Sequence, residues 1–92
     1  VHYSLDNNYP NPFNPSTNIT YSIIDNDIVS LNIYDVKGNI VKSLVNEYKL
    51  SGRYNISWNG KNNSGASVST GVYFYSLKSG EFLSTKKMIF LK

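Results

Sequence analysis

The sequence predicts an all-β protein, an antiparallel sandwich of two sheets built from about seven short strands. Three observations carry that prediction. Apolar and polar residues alternate with a period of two nearly everywhere, where a helix would show a period of about 3.6. Tyr, Phe and Trp make up 14% of the chain, and aromatic side chains suit pleated surfaces. Thirteen asparagines gather between the apolar runs, where turns favour them.

The elements follow in order. "NITYSII" puts Ile19, Tyr21 and Ile23 on one face and Thr20 and Ser22 on the other. "IVSLNIYD" groups Val29, Leu31 and Ile33 against Ser30 and Asn32. Both read as strands with one buried and one wet face. "DVKGN" is a hairpin turn in which Gly38 is free to take a positive φ. Residues 40–45 form the next strand. "VKSLVNEYKL" also places Val41, Leu44 and Val45 at helical spacing, but its length and neighbours favour strand plus loop. "RYNISWN" alternates Tyr54, Ile56 and Trp58 with Asn55 and Ser57, so Trp58 is expected in the core. "NGKNNSG", with Gly60, is a polar loop. Residues 71–78, beginning at Gly71 and carrying Tyr73, and residues 81–91 form a final hairpin that turns at "LKSGEF" through Gly80. Turn signals at intervals of about 8–12 residues complete the pattern of an immunoglobulin-like sandwich.

Composition limits the function. A chain of 92 residues fits one domain. It has no cysteine and a single histidine, His2. Disulfides, thiolate metal sites and multi-histidine zinc sites are therefore excluded from this chain, and a Ser-His-Asp triad would have to use a residue beside the terminus. The net charge of +3 comes without a basic cluster longer than two residues, so a nucleic-acid partner is not expected. No apolar run approaches the roughly 20 residues of a membrane helix. The chain begins at Val1 and shows no signal peptide, and reads as the tail of something longer.

The six acids Asp6, Asp25, Asp27, Asp35, Glu47 and Glu81 sit mostly in turns. Glycoside hydrolysis needs two carboxylates facing across a cleft, which a small sandwich does not offer. Asp25 and Asp27 lack the glycine and distal glutamate of a calcium loop, so a polar turn is expected there. No enzyme activity, metal or cofactor is predicted.

All three prolines fall within "NYPNPFNPST". Pro10, Pro12 and Pro15 restrict Tyr9, Asn11 and Asn14 as well, pressing them toward extended backbone. The segment is stiff before folding, so ordering it costs less entropy. "NPST" reads as a turn. Phe13, between the restrictions, is expected to plug the open end of the sandwich. On this reading residues 1–8 end a linker from an upstream domain, and residues 9–92 form the sandwich.

Pro10-Asn11-Pro12-Phe13-Asn14-Pro15-Ser16-Thr17 resembles the opening signature of the C-terminal sorting domains of the type IX secretion system, type A. "VSLNIYDVKGNIVKSL", "SGRYNISWNGKNNSG", "STGVYFYSL" and "TKKMIFLK" resemble further blocks of that family, in order, over residues 9–92. The middle blocks also resemble the immunoglobulin-like domain of flagellar hook-capping proteins, which typically has Trp-Asp-Gly where this chain has Trp58-Asn59-Gly60. The lysine pair, apolar strand and terminal Lys92 favour the sorting domain.

That resemblance implies a seven-stranded sandwich acting as an address and not as an enzyme. A cargo domain upstream in the same chain would reach the periplasm, and the type IX machinery would carry it across the outer membrane, to be secreted or held at the cell surface. The module is expected to be monomeric. The tail Lys86, Lys87, Met88, Ile89, Phe90, Leu91 and Lys92 is the candidate recognition element, since a terminal strand can pair with a partner sheet. The same residues also fit a core strand with lysines guarding its edge. Two other functions compete: a structural spacer, and a carbohydrate-binding module using Tyr73 and Tyr75 as a platform. Val72 and Phe74 opposite them suggest a strand buried on both sides, which weakens the platform.

Overall fold

The computed structural model describes residues 2–91. Among them the alternating segments become seven strands: β1 (Ser4–Leu5), β2 (Thr17–Ile23), β3 (Asp27–Tyr34), β4 (Ile40–Lys49), β5 (Gly52–Trp58), β6 (Gly71–Ser79) and β7 (Phe82–Phe90). They form two antiparallel sheets, one ordered β1-β2-β5 and the other β4-β3-β6-β7. The protein is an all-β immunoglobulin-like sandwich, as its periodicity predicts.

Each period-two run buries one phase. Ile19, Tyr21 and Ile23 of β2 face Val29, Leu31 and Ile33 of β3 and Tyr73, Tyr75 and Leu77 of β6, all 6% exposed or less. Burying an aliphatic or aromatic side chain of this size contributes about 1.5–3 kcal/mol, so these strands carry most of the core. Strand β4 contributes one fully buried residue, Val45.

Three expectations need correction. Residues 4–8 are not linker. Ser4 and Leu5 pair with Ser22 and Tyr21, Leu5 and Asn8 are buried, and the short strand β1 is the seventh strand of the sandwich. A two-residue strand is too short to show a period. The "VKSLVNEYKL" run stays extended through Lys49, because its residues continue to pair with β3 beyond a bulge. Leu31 faces Val45 and Asn32 faces Ser43, which leaves Leu44 as the extra residue. Strand β6 is buried on one side only: Val72 is exposed and Phe74 half-exposed on the outer face, which no described strand covers. Tyr73 and Tyr75 lie in the core and cannot form a platform.

The turns follow their residues. Gly38 takes φ 86° and donates to the Asp35 carbonyl, while the Asp35 carboxylate accepts from the amides of Lys37 and Asn39. The Asn39 amide is the leading reason that this carboxyl is held below its ordinary pKa. In the polar loop, Asn62 Oδ1 accepts from the amides of Ser64 and Ala66. Neighbouring Asn63 donates its amide to the Val41 carbonyl and accepts from the Ser43 amide. The loop thus covers part of the β4 edge.

Candidate functional site

The structure joins two segments that the sequence presents far apart: the proline segment and the terminal strand. Tyr9 pairs with Asn18 as an antiparallel bridge, so residues 10–17 form a loop within the first sheet. That loop crosses to the second sheet at its tip. The Phe13 amide donates to the Ile89 carbonyl at 3.0 Å, and the Leu91 amide donates to the Phe13 carbonyl at 3.0 Å. Asn11 Oδ1 accepts from the Ile89 amide at 3.0 Å. Phe13 and Phe90 thereby make a parallel bridge, and a stub of strand caps the outer edge of β7.

Phe13 closes the end of the sandwich, 2% exposed. Its ring stacks on Phe90 with centroids 4.8 Å apart and leans on Trp58 at 5.6 Å. Trp58 meets Tyr73 edge-on at 5.5 Å. Such ring pairs contribute about 0.5–1.5 kcal/mol each beyond burial. The Trp58 indole N–H donates to the Lys61 carbonyl at 2.9 Å, which satisfies the polar group of a core tryptophan. Gly60 lies against the Phe90 ring and is buried. Gly71 opens β6 beside this cluster, pairing with Phe90.

A buried polar knot holds the base of the loop. Tyr75, reaching from β6, donates its hydroxyl to the Asp6 carbonyl at 2.7 Å and accepts from the Asn8 amide at 2.8 Å. Burial pushes this hydroxyl up to about 12, partly opposed by the Asn8 amide, so it stays neutral and serves as a staple between the sheets. The Pro10 carbonyl accepts from Thr17 Oγ1 at 2.8 Å and from Asn8 Nδ2 at 3.2 Å. Pro12, Asn14 and Pro15 face solvent, with residues 14 and 15 bending the chain back toward Thr17.

The tail divides by phase. Met88 and Phe90 belong to the core, 0% and 4% exposed. Lys87 and Leu91 are exposed and Ile89 half-buried on the outward phase. Lys86 shares the phase of Met88 and is half-buried at the sheet margin. Lys92 lies outside the described residues. Sequence reasoning identified both segments but missed their contact, and it missed the hydrogen bond between Asn8 and Tyr75, having read Tyr75 only as half of a sugar platform. A buried-phase tyrosine facing a polar "DNN" run was the available signal, and it is a weak one.

The fold and its clasped end define a class, a single immunoglobulin-like β-sandwich module. The chain belongs to the FlgD Ig-like domain family, which it matches over residues 17–81. That match runs from β2 to the β6–β7 turn and leaves both partners of the clasp outside. No curated protein matches the chain. Among solved structures, it is similar to dimeric latent PorU from Porphyromonas gingivalis, with a TM-score of 0.73 and 22% identity over 99% of this chain and 10% of that one. It is similar to FlgD from P. aeruginosa, with a TM-score of 0.62 and 21% identity over 80% of this chain and 58% of that one. It is also similar to PorZ, a surface component of the type IX secretion system of P. gingivalis, with a TM-score of 0.64 and 18% identity over 94% of this chain and 11% of that one. The chain thus spans about a tenth of the PorU and PorZ chains and just over half of FlgD.

Proposed function

We propose that this module is a non-catalytic secretion signal that directs an attached cargo protein across the outer membrane through the type IX secretion system. Its partners are the cargo domain and the secretion machinery, and its destination is the cell surface or the medium, by way of the periplasm. One observation carries the reading: the proline segment and the terminal strand, the two pieces outside the FlgD family match, are built into one clasp. The likeness to PorU and PorZ, which covers 99% and 94% of the chain, supports it. A partner that reads a strand gains from one held in a single reproducible position. The clasp supplies that position through main-chain bonds and a buried ring.

The test is an export assay. Residues 1–92 are fused behind a periplasmic signal peptide and a fluorescent protein, in a bacterium with a working type IX system. Deleting Lys86–Lys92 would remove Met88 and Phe90 from the core, so Lys87→Ser with Leu91→Ser is the better variant, because both side chains are exposed. Export of the parent that stops when the translocon is disabled is the expected result, with export by the surface variant reduced. Fluorescence held in the periplasm in every case would overturn the reading and leave a structural module.

A further inference from the structure

The outer edge of β7 is hydrogen-bonded over only part of its length; β1 lies near β7, and Tyr3 beside it stacks on Phe82. Ile89 presents its amide and carbonyl to Asn11 and Phe13. Backbone groups two residues apart point to the same edge of a strand, so Leu83, Thr85 and Lys87 present theirs in the same direction. Their own pairs across the sheet, to Lys78, Ser76 and Phe74, are the positions that exchange no main-chain bond with β6. Among the described residues nothing else pairs with this stretch. The result is a three-residue template of free donors and acceptors in line with the Asn11–Phe13 stub.

Lysines dominate the side chains around that template, with the acid Glu81 set apart in the turn before β7. Lys86 and Lys87 lie on β7, and Lys78 faces Leu83 from β6. The described ion pairs are Lys49–Glu47 and Arg53–Asp6, so none of these three lysines is neutralised. Leu83 adds an apolar contact, 65% exposed. The other long edges differ. That of β4 is covered at Val41 and Ser43 by Asn63. That of β5 carries one cation, Arg53, which Asp6 already engages.

We propose that residues 83–87 of β7 accept an extended acidic segment of another protein as an added strand. Main-chain bonds to Leu83, Thr85 and Lys87 would supply affinity, and the lysines would select carboxylates. The same lysines reject a second copy of this chain, which brings like charge to the edge. The inference deepens the export reading and rests on it for the owner of the incoming strand, but strand addition can be measured separately.

The probe is an acetylated, amidated peptide of about eight residues, a usual strand length, alternating Glu with Val and Thr. A control peptide has Lys in place of Glu. Titrated into the full chain, the acidic peptide should shift the amide resonances of Leu83, Thr85 and Lys87 and slow their exchange. The lysine peptide should bind at least about tenfold more weakly. Thr85→Pro removes a donor from the free edge and leaves the main-chain ladder to β6 intact, losing besides only the Thr85 Oγ1 to Ser76 Oγ hydrogen bond, and should abolish binding while the core resonances stay in place. Lys87→Glu should shift preference toward the lysine peptide. Equal binding of both peptides, shifts on another edge, unaltered binding by Thr85→Pro, or dimerisation through these amides in place of peptide binding would overturn the proposal. Export unaffected by Thr85→Pro would retain the address and remove the strand. Peptide binding without export of the parent would retain the strand and remove the address.

Discussion

Gly60 lies beneath the ring of Phe90, so close that a β-carbon at position 60 would stand 2.7 Å from Cζ. The turn after Trp58 and the terminal strand are therefore fitted to each other. Gly60 also takes φ 73°, where a side chain meets its own carbonyl. Gly60→Ala should lose about 1–2 kcal/mol to the left-handed backbone and roughly 1–3 kcal/mol to overpacking against the ring. Denaturant unfolding of both proteins measures the sum. Phe90→Leu in the same background should couple favourably with it, because the overpacking term disappears and the backbone term remains.

Phe13 fills the space beyond that ring. Phe13→Ala should cost about 3–5 kcal/mol, a large share of the total of about 5–15 kcal/mol typical of a domain. Asn11→Ala removes one hydrogen bond at the margin and should cost about 0.5–1.5 kcal/mol. Hydrogen exchange distinguishes a local from a global effect. Asn11→Ala should speed exchange at Ile89 and leave the amides of β2 and β3 protected. Uniform acceleration across both sheets would show instead that Asn11 supports the whole fold.

Periodicity made most of the sandwich legible. Strands β2, β3 and β5 each put three alternating residues on record, and Trp58 went to the core with its phase. The hairpin glycines 38 and 80 were legible because a positive φ is a local demand. Phe13 could be assigned to the end of the sandwich because prolines restrict its neighbours. What stayed hidden was tertiary. A two-residue strand such as β1 has no period. The pairing of Asn11 and Phe13 with Ile89 joins residues at opposite ends of the chain, and no local pattern encodes it. The true exposure of Val72 and Phe74 depended on whether anything covers the outer face. Lys86 and Lys87 looked alike in sequence but fall on opposite phases of β7, which only the register with Tyr75 and Phe74 decides.

The hydroxyl of Tyr75 ties the first sheet's leading segment to the second. Tyr75→Phe keeps the ring but leaves the buried Asn8 amide without its acceptor, which should cost about 1–3 kcal/mol. Tyr73→Phe is the matched control: its hydroxyl donates to the Ser69 carbonyl at 2.6 Å in a partly exposed position, where water can take its place. The loss there should be smaller, about 0.5–1.5 kcal/mol. Equal losses at both positions would mean that the Asn8 amide finds another acceptor.

Alkaline pH should strain the same staple. Burial raises the hydroxyls of Tyr21 and Tyr75 from the ordinary value of 10.0 to about 12. Between those values the folded protein keeps both protons while the unfolded chain has given up its own. The unfolded state then binds fewer protons, so stability falls as pH rises. The contribution of both residues is fully present below pH 10 and is lost as pH climbs toward 12. Chemical unfolding across that window should show a declining midpoint, steeper than in Tyr75→Phe measured from its own lower starting stability. Tyrosinate absorbance gives an independent reading: part of the signal from the eight tyrosines should appear only with the unfolding transition. A fully developed tyrosinate signal in a still-folded protein would show that Tyr21 and Tyr75 ionise in place.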